Sequence, residues 1–199
     1  MPAATIDFWF TMGSTYTALT VARHEALAAR AGVTIRLRPM KSVGALTGGP
    51  ALPFIEGTAK HRYMWRDIAR RAAAIGMPLR LPVAYPAPSG ARANRVALLG
   101  VQEGWAAPYL RAAYRLWFAE GIGNGGEENL RAALAEAGQA AEIDRILAQA
   151  DGDANTAALD AETDIARALG VFGSPSFIAD GELFWGDDHL EDAIAWAKR

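Results

Sequence analysis

The feature that most constrains this chain is where its β-prone segments fall: near the two ends, with nothing of the kind between. Thr5–Phe10 (TIDFWF) is short, aromatic and β-prone, and the polar run Thr11–Thr17 follows it. Ala18–Ala31 carries Leu19, Ala22, Ala26 and Ala29 at helical spacing and stops at Gly32, a residue suited to the left-handed turn that closes a helix. Val33–Arg38 then alternates apolar and polar residues, the pattern of a half-buried strand. Strand, helix and strand in so short a span predict a βαβ unit, whose crossover makes the strands parallel.

From Lys41 the character changes. A Gly/Pro-bearing loop, Lys41–Pro53, leads into a helix over Thr58–Ile75 that Gly76 ends, and a proline-rich connector, Pro78–Pro88, comes next. The alanine-rich segments Ala91–Gly104, Pro108–Glu120, Glu127–Ala137, Ala140–Ala150 and Asn155–Leu169 all read as helices, the last with Asn155 as its N-cap and Gly170 beyond its end. Strand character returns in Ser176–Ala179 and Glu182–Trp185, joined by Asp180-Gly181, the dipeptide of a two-residue hairpin turn. Asp187–Lys198 closes the chain as a helix with acids at its start and bases at its end. This order, β-α-β, helices, β-β-α, is that of an α/β thioredoxin-like fold interrupted by a large all-helical insertion. Residues 1–40 and 170–199 are expected to form the discontinuous thioredoxin-like domain, and 41–169 the insertion.

Composition narrows the chemistry. The chain has no cysteine, which excludes a protein-borne disulfide, a thiolate metal site and a catalytic thiol. Lys and Arg number 20 against 22 Asp and Glu, so nothing electrostatic draws the chain to nucleic acid or an anionic membrane. No apolar run approaches the roughly 18 residues of a bilayer span, and no basic leader opens the chain, so a cytoplasmic protein is expected. His24, His61 and His189 show no metal-ligand spacing. Gly121–Gly126 satisfies GxGxxG, but a helix precedes it where dinucleotide binding needs a strand, so it reads as a helix-ending loop.

Four places could carry chemistry. Ser14 stands after the first strand at the start of the first helix, where unpaired N–H groups favour an anion; it either caps the helix or donates to a ligand sulfur. Ser174-Pro175 precedes the third strand, and a cis bond there would turn the Ser174 backbone toward an extended peptide. Asp187 and Asp188 open the last helix, either complementing its dipole or accepting from a ligand ammonium. Lys60 opens the first inserted helix, as a surface lysine or as the partner of a ligand carboxylate.

Asp7–Leu19 (DFWFTMGSTYTAL), Lys60–Asp67, Gly76–Leu79, Phe118–Ile122 and above all Gly170–Leu190 (GVFGSPSFIADGELFWGDDHL) resemble, in order and over nearly the whole chain, the 2-hydroxychromene-2-carboxylate isomerases and kappa-class glutathione transferases, DsbA-like members of the thioredoxin superfamily. The resemblance implies glutathione as cofactor: Ser14 at its sulfur, Ser174 before a cis Pro175 as the backbone clamp, Asp187 and Asp188 at the γ-glutamyl end, and Lys60 near the ligand. It implies a small aromatic or enone acid as substrate, and a homodimer. Ser14-Thr15-Tyr16-Thr17 fills the place of the redox relatives' C-x-x-C. The chain departs from the family at Thr11, Met12 and Thr15, where relatives carry an acid and a proline. It also lacks the asparagines expected near Thr47–Pro50 and Tyr85–Pro88, and has His189 in place of an arginine. Three readings stand at this point: a glutathione-dependent isomerase, a glutathione transferase, and a non-catalytic thioredoxin-fold binding module.

Overall fold

A computed structural model describes residues 3–49 and 54–199; the last part of the expected loop, 50–53, lies outside the described residues, as do residues 1–2. Strand β1, Thr5–Phe10, lies at the centre of a four-stranded sheet of order β2-β1-β3-β4, with β2 Thr34–Pro39, β3 Ser176–Ala179 and β4 Glu182–Trp185. It pairs parallel with β2 (Phe8 against Leu37) and antiparallel with β3 (Phe8 against Phe177). Period-two alternation along β1 gives the sheet two apolar faces. Ile6, Phe8 and Phe10 enter the main core with Phe177, while Trp9 enters a second cluster with Met40, Leu46, Ala166 and Val171. The β3–β4 hairpin is the one the Asp-Gly dipeptide predicts. Asp180 (φ 47°) and Gly181 (φ 79°) both take the left-handed conformation its tight turn requires.

The remaining helices are α1 Thr15–Val21, α2 His24–Ala31, α3 Val43–Thr47, α4 Ala59–Ile75, α5 Gly90–Glu103, α6 Ala106–Arg115, α7 Glu127–Leu134, α8 Ile143–Asp151, α9 Asp153–Ala168 and α10 Leu190–Trp196. Several depart from the sequence expectation, each for a visible reason. The segment expected as one helix, Ala18–Ala31, is two. Arg23 leaves helical geometry (φ −135°) and sends its guanidinium to Asp187, while the buried His24 ring turns Nδ1 back to the Thr20 and Val21 carbonyls, 3.2 Å each. Burial holds the His24 imidazole below its ordinary pKa. Asn155 does not cap α9. Gly152 does, and Asn155 is buried a turn inside, donating to the Arg95 carbonyl at 3.0 Å and so tying α9 to α5. Lys60 is not in the first inserted helix, because the short α3, capped by Ser42, precedes it; Thr58 caps α4 and Lys60 follows in its first turn. The terminal helix opens as a 3-10 turn, Asp187–His189, before α10. Trp105, Tyr109, Tyr114 and Trp117 are all buried in the main core, which runs without a break from the sheet into the inserted helices. No helix among the described residues is long and apolar enough to cross a membrane.

Candidate active site

The loop between β1 and α1 is fixed from all sides. Asn94 of α5, fully buried, accepts the Met12 N–H at 2.6 Å through Oδ1 and donates to Thr11 Oγ1 at 3.0 Å. Asn124 donates to the Met12 carbonyl at 2.8 Å. The Tyr114 hydroxyl, pushed well above its ordinary pKa by burial, donates between the Thr11 and Ser14 carbonyls, 3.2 and 3.3 Å away. None of these three was read from the sequence. Asn124 belongs to the Gly121–Gly126 loop, which therefore serves as a brace for the Met12 turn. Gly125 of that loop sits at φ +80°, where an added Cβ would lie 2.1 Å from the Ser89 carbonyl oxygen. Backbone would have to move as well as strain, so Gly125→Ala is expected to cost about 2 kcal/mol in urea unfolding.

Ser14 both caps α1 and crosses to the far loop. Its Oγ accepts the Thr17 N–H at 3.3 Å and donates to the Ser174 carbonyl at 2.9 Å. The Ser174-Pro175 bond is cis. The Ser174 hydroxyl accepts the Thr11 N–H at 2.9 Å and shares a hydrogen with Thr17 Oγ1 at 3.0 Å. The Ser174 carbonyl thus already accepts one hydrogen bond, from Ser14. Thr15, where relatives carry proline, turns inward and donates to Met64 Sδ at 3.2 Å.

These groups open on a cavity of about 940 Å³, lined by Ser14, Lys60, Ser174, Pro175, Asp187 and Asp188 together with aromatic residues of both halves of the chain, among them Tyr16, Phe54, Tyr85 and Trp185. Every residue singled out in the sequence therefore meets at one concavity, the arrangement expected of a small-molecule site. Their chemistry differs from the expectation at one position. Asp187 is buried, with its oxygens already taken: Oδ1 by Thr20 at 2.9 Å and Arg23 Nε at 3.2 Å, Oδ2 by Arg71. Burial pushes its carboxyl up, and Arg23 and then Arg71 pull it back part of the way. It is an anchor between α1, α4 and the last turn rather than a free acceptor. Asp188 keeps its carboxylate largely exposed, 3.7 Å from Arg71 Nη1. The Lys60 ammonium stands 5.2 Å over the Phe54 ring. Tyr16 donates to Asp67 Oδ2 at 3.1 Å, and burial followed by that acid raises its phenol pKa strongly. Among the described residues no group of His, Cys, Asp and Glu is placed to hold a metal ion.

A mixed sheet with its cavity at the N-terminus of α1, beside a cis-proline and beneath inserted helices, defines a thioredoxin fold of the interrupted type. The chain matches the model of the DSBA-like thioredoxin domain over residues 5–194 and belongs to that family. It is 28% identical over 191 residues to a 2-hydroxychromene-2-carboxylate isomerase of Sphingobium xenophagum, covering 94% of each chain. A solved structure of 2-hydroxychromene-2-carboxylate isomerase superposes with a TM-score of 0.77 at 26% identity, covering 96% of this chain and 94% of that one. The cytosolic disulfide reductase DsbM from Pseudomonas aeruginosa, solved with GSH, shares the fold at 17% identity and a TM-score of 0.66, covering 98% of this chain and 96% of that one.

Proposed function

We propose that the protein is a glutathione-dependent isomerase of the 2-hydroxychromene-2-carboxylate isomerase type, acting on an aromatic or enone acid. The observation that carries this reading is the junction of Ser14 and Ser174. A hydroxyl at a helix N-terminus stands 2.9 Å from the carbonyl that precedes a cis-proline, inside a cavity that also holds Lys60 and Asp188. The named isomerase that covers nearly the same length supports it.

The donor set fits glutathione. Ser14 Oγ and the N–H groups of the first turn of α1 suit a sulfur anion, exposed Asp188 suits an ammonium, and Lys60 suits a carboxylate. When bound, glutathione would supply a nucleophilic thiolate, the chemistry needed for reversible addition to the substrate double bond. The chain's own part is to hold that sulfur ionised and to aim it. With glutathione bound, the Ser14 hydroxyl, which here donates to the Ser174 carbonyl, would be the donor that holds the sulfur, and Tyr114, Asn94 and Asn124 keep its loop in place. The helix terminus adds about 0.3–1 kcal/mol of charge stabilisation. Phe54, Tyr85 and the rest of the apolar wall exclude water from the reacting bond. Without a cysteine the protein itself takes no part in disulfide exchange.

The test joins calorimetry to turnover. Reduced glutathione at millimolar concentration is expected to bind with measurable heat, and cis–trans conversion of 2-hydroxychromene-2-carboxylate is expected to depend on it. Absence of heat and of thermal shift at several millimolar, or turnover indifferent to glutathione, defeats the proposal. Appearance of a stable thioether product in place of isomerised acid would replace it with a transferase.

A further inference from the structure

The cavity has two sides. The groups assigned above to glutathione belong to α1, α4, the cis-proline loop and the Asp187–His189 turn, and α1 packs against both α4 and that turn. The other side is made by the end of β2 and by α3, α5 and α9, with α9 packed against the other three. It presents Val43 and Ala45 of α3, Ala91 of α5 and Leu159 of α9, a wall that is apolar and, at both alanines, short. The whole cavity, about 940 Å³, stands near the top of the range of about 300–1,000 Å³ usual for a small-molecule site. A tripeptide along the first side therefore leaves room for a second molecule against the other.

An acid placed against that wall needs a cation free to turn to it. Of the arginines and lysines on the cavity, Arg71 is held by Asp187, and Arg95 by the Ala150 carbonyl at 2.6 Å and Asp151 at 2.8 Å. Lys60 stands over Phe54 on the glutathione side. Lys41 remains. It follows β2 as Ser14 follows β1, so the two stand beyond the same ends of neighbouring parallel strands, where open α/β sheets take their ligands. Its main chain is fixed: the Lys41 N–H donates to Thr163 Oγ1 at 3.0 Å, and the Met40 N–H before it donates to the Phe10 carbonyl at 2.8 Å. Its ammonium pairs with Asp160 of α9, whose side chain is 48% exposed. An ion pair so open to water contributes little to stability, and it exchanges readily for a carboxylate brought into the cavity.

We propose that Lys41 is the residue that selects an acid as substrate: its ammonium leaves Asp160 and pairs with the substrate carboxylate, while the apolar body of the substrate lies along Val43, Ala91 and Leu159. This rests on the isomerase reading above. Asp160 then competes with the substrate for the ammonium, which gives the proposal a sign. Removing the Lys41 charge weakens the binding of acids, and removing the Asp160 charge strengthens it. Neutral analogues of the same shape feel neither change.

The test compares trans-cinnamate with trans-cinnamamide, which differ in charge and hardly in shape, by calorimetry without glutathione. The wild type is expected to bind the acid about 10-fold more tightly than the amide. Lys41→Gln, which keeps the main-chain bond to Thr163, is expected to abolish that preference. Asp160→Asn is expected to raise it about 3-fold, and Lys60→Gln to leave it in place. In turnover with glutathione, Lys41→Gln is expected to raise KM for 2-hydroxychromene-2-carboxylate about 10-fold, with kcat and glutathione affinity changed less than about 3-fold, the pattern of lost ground-state binding. An unchanged preference in Lys41→Gln, its loss in Lys60→Gln, or no binding of cinnamate to the wild type overturns the proposal. If glutathione fails to bind the wild type, the isomerase reading falls instead, and the cinnamate comparison still decides whether Lys41 selects acids.

Discussion

Ser14→Ala is expected to lower kcat/KM for the glutathione-dependent isomerisation between about 10-fold and 100-fold, the worth of one hydrogen bond to a charged acceptor. The substitution removes the hydroxyl that reaches the Ser174 carbonyl at 2.9 Å and, on the proposed reading, the sulfur. It also removes an N-cap, since Ser14 Oγ accepts the Thr17 N–H, at a cost of about 1 kcal/mol in stability. The two effects separate with Ser14→Gly, because glycine at an N-cap costs only about a few tenths of a kcal/mol. Both variants are expected to lose glutathione affinity alike by calorimetry, while only Ser14→Ala lowers the midpoint of thermal unfolding appreciably. Should both retain wild-type glutathione affinity and turnover, Ser14 is a helix cap and nothing more, and the sulfur must be held elsewhere.

How far the sequence reaches can be seen in these same residues. The β3–β4 hairpin, the parallel pairing of β1 with β2 and the glycine stops after α2, α4 and α5 follow from local patterns, because turn geometry and strand alternation are fixed by neighbours in sequence. Convergence of Ser14, Lys60, Ser174 and Asp188 on one cavity follows from the fold rather than from any spacing. It was reachable only through the order of elements and the family resemblance. What the sequence hid is the bracing of the site by distant polar residues. Asn94, Asn124 and Tyr114 stand 82, 112 and 103 positions from the loop residues they hold, and an asparagine in an alanine-rich helix carries no local mark of its partner. The departures at Thr11 and Thr15 are explained the same way. Thr11 accepts from Asn94 and Thr15 donates to Met64, so both side chains are spent on the scaffold around Ser14. The α1–α2 break was equally hidden, since apolar periodicity continues across it; its cause is an ion pair between Arg23 and a residue 164 positions away.

That ion pair carries the largest expected effect on stability. Arg23→Met is expected to cost about 2–3 kcal/mol in urea unfolding at pH 7, less than the full penalty of stranding a buried charge because Arg71 and Thr20 still face the Asp187 carboxylate. The Asp187 side chain is 3% exposed, so water cannot replace the donors that Arg23 supplies to its Oδ1 and main-chain oxygen. The cost has a pH signature. Burial already raises the folded-state pKa of Asp187, and removing Arg23, which pulls it down, raises it further. A carboxyl with a raised folded pKa contributes most favourably below its unfolded value, near 3.9, and loses that contribution as pH rises through the folded one. The gap between wild type and variant is therefore widest at neutral pH and narrows as pH falls toward about 4, where the stranded group takes up a proton. Unfolding curves at pH 7 and at mildly acid pH measure it. A gap independent of pH would assign the loss to the Arg23 stem rather than to its charge on Asp187, and would leave Arg71 to hold Asp187, and with it the α1–α4 side of the cavity, alone.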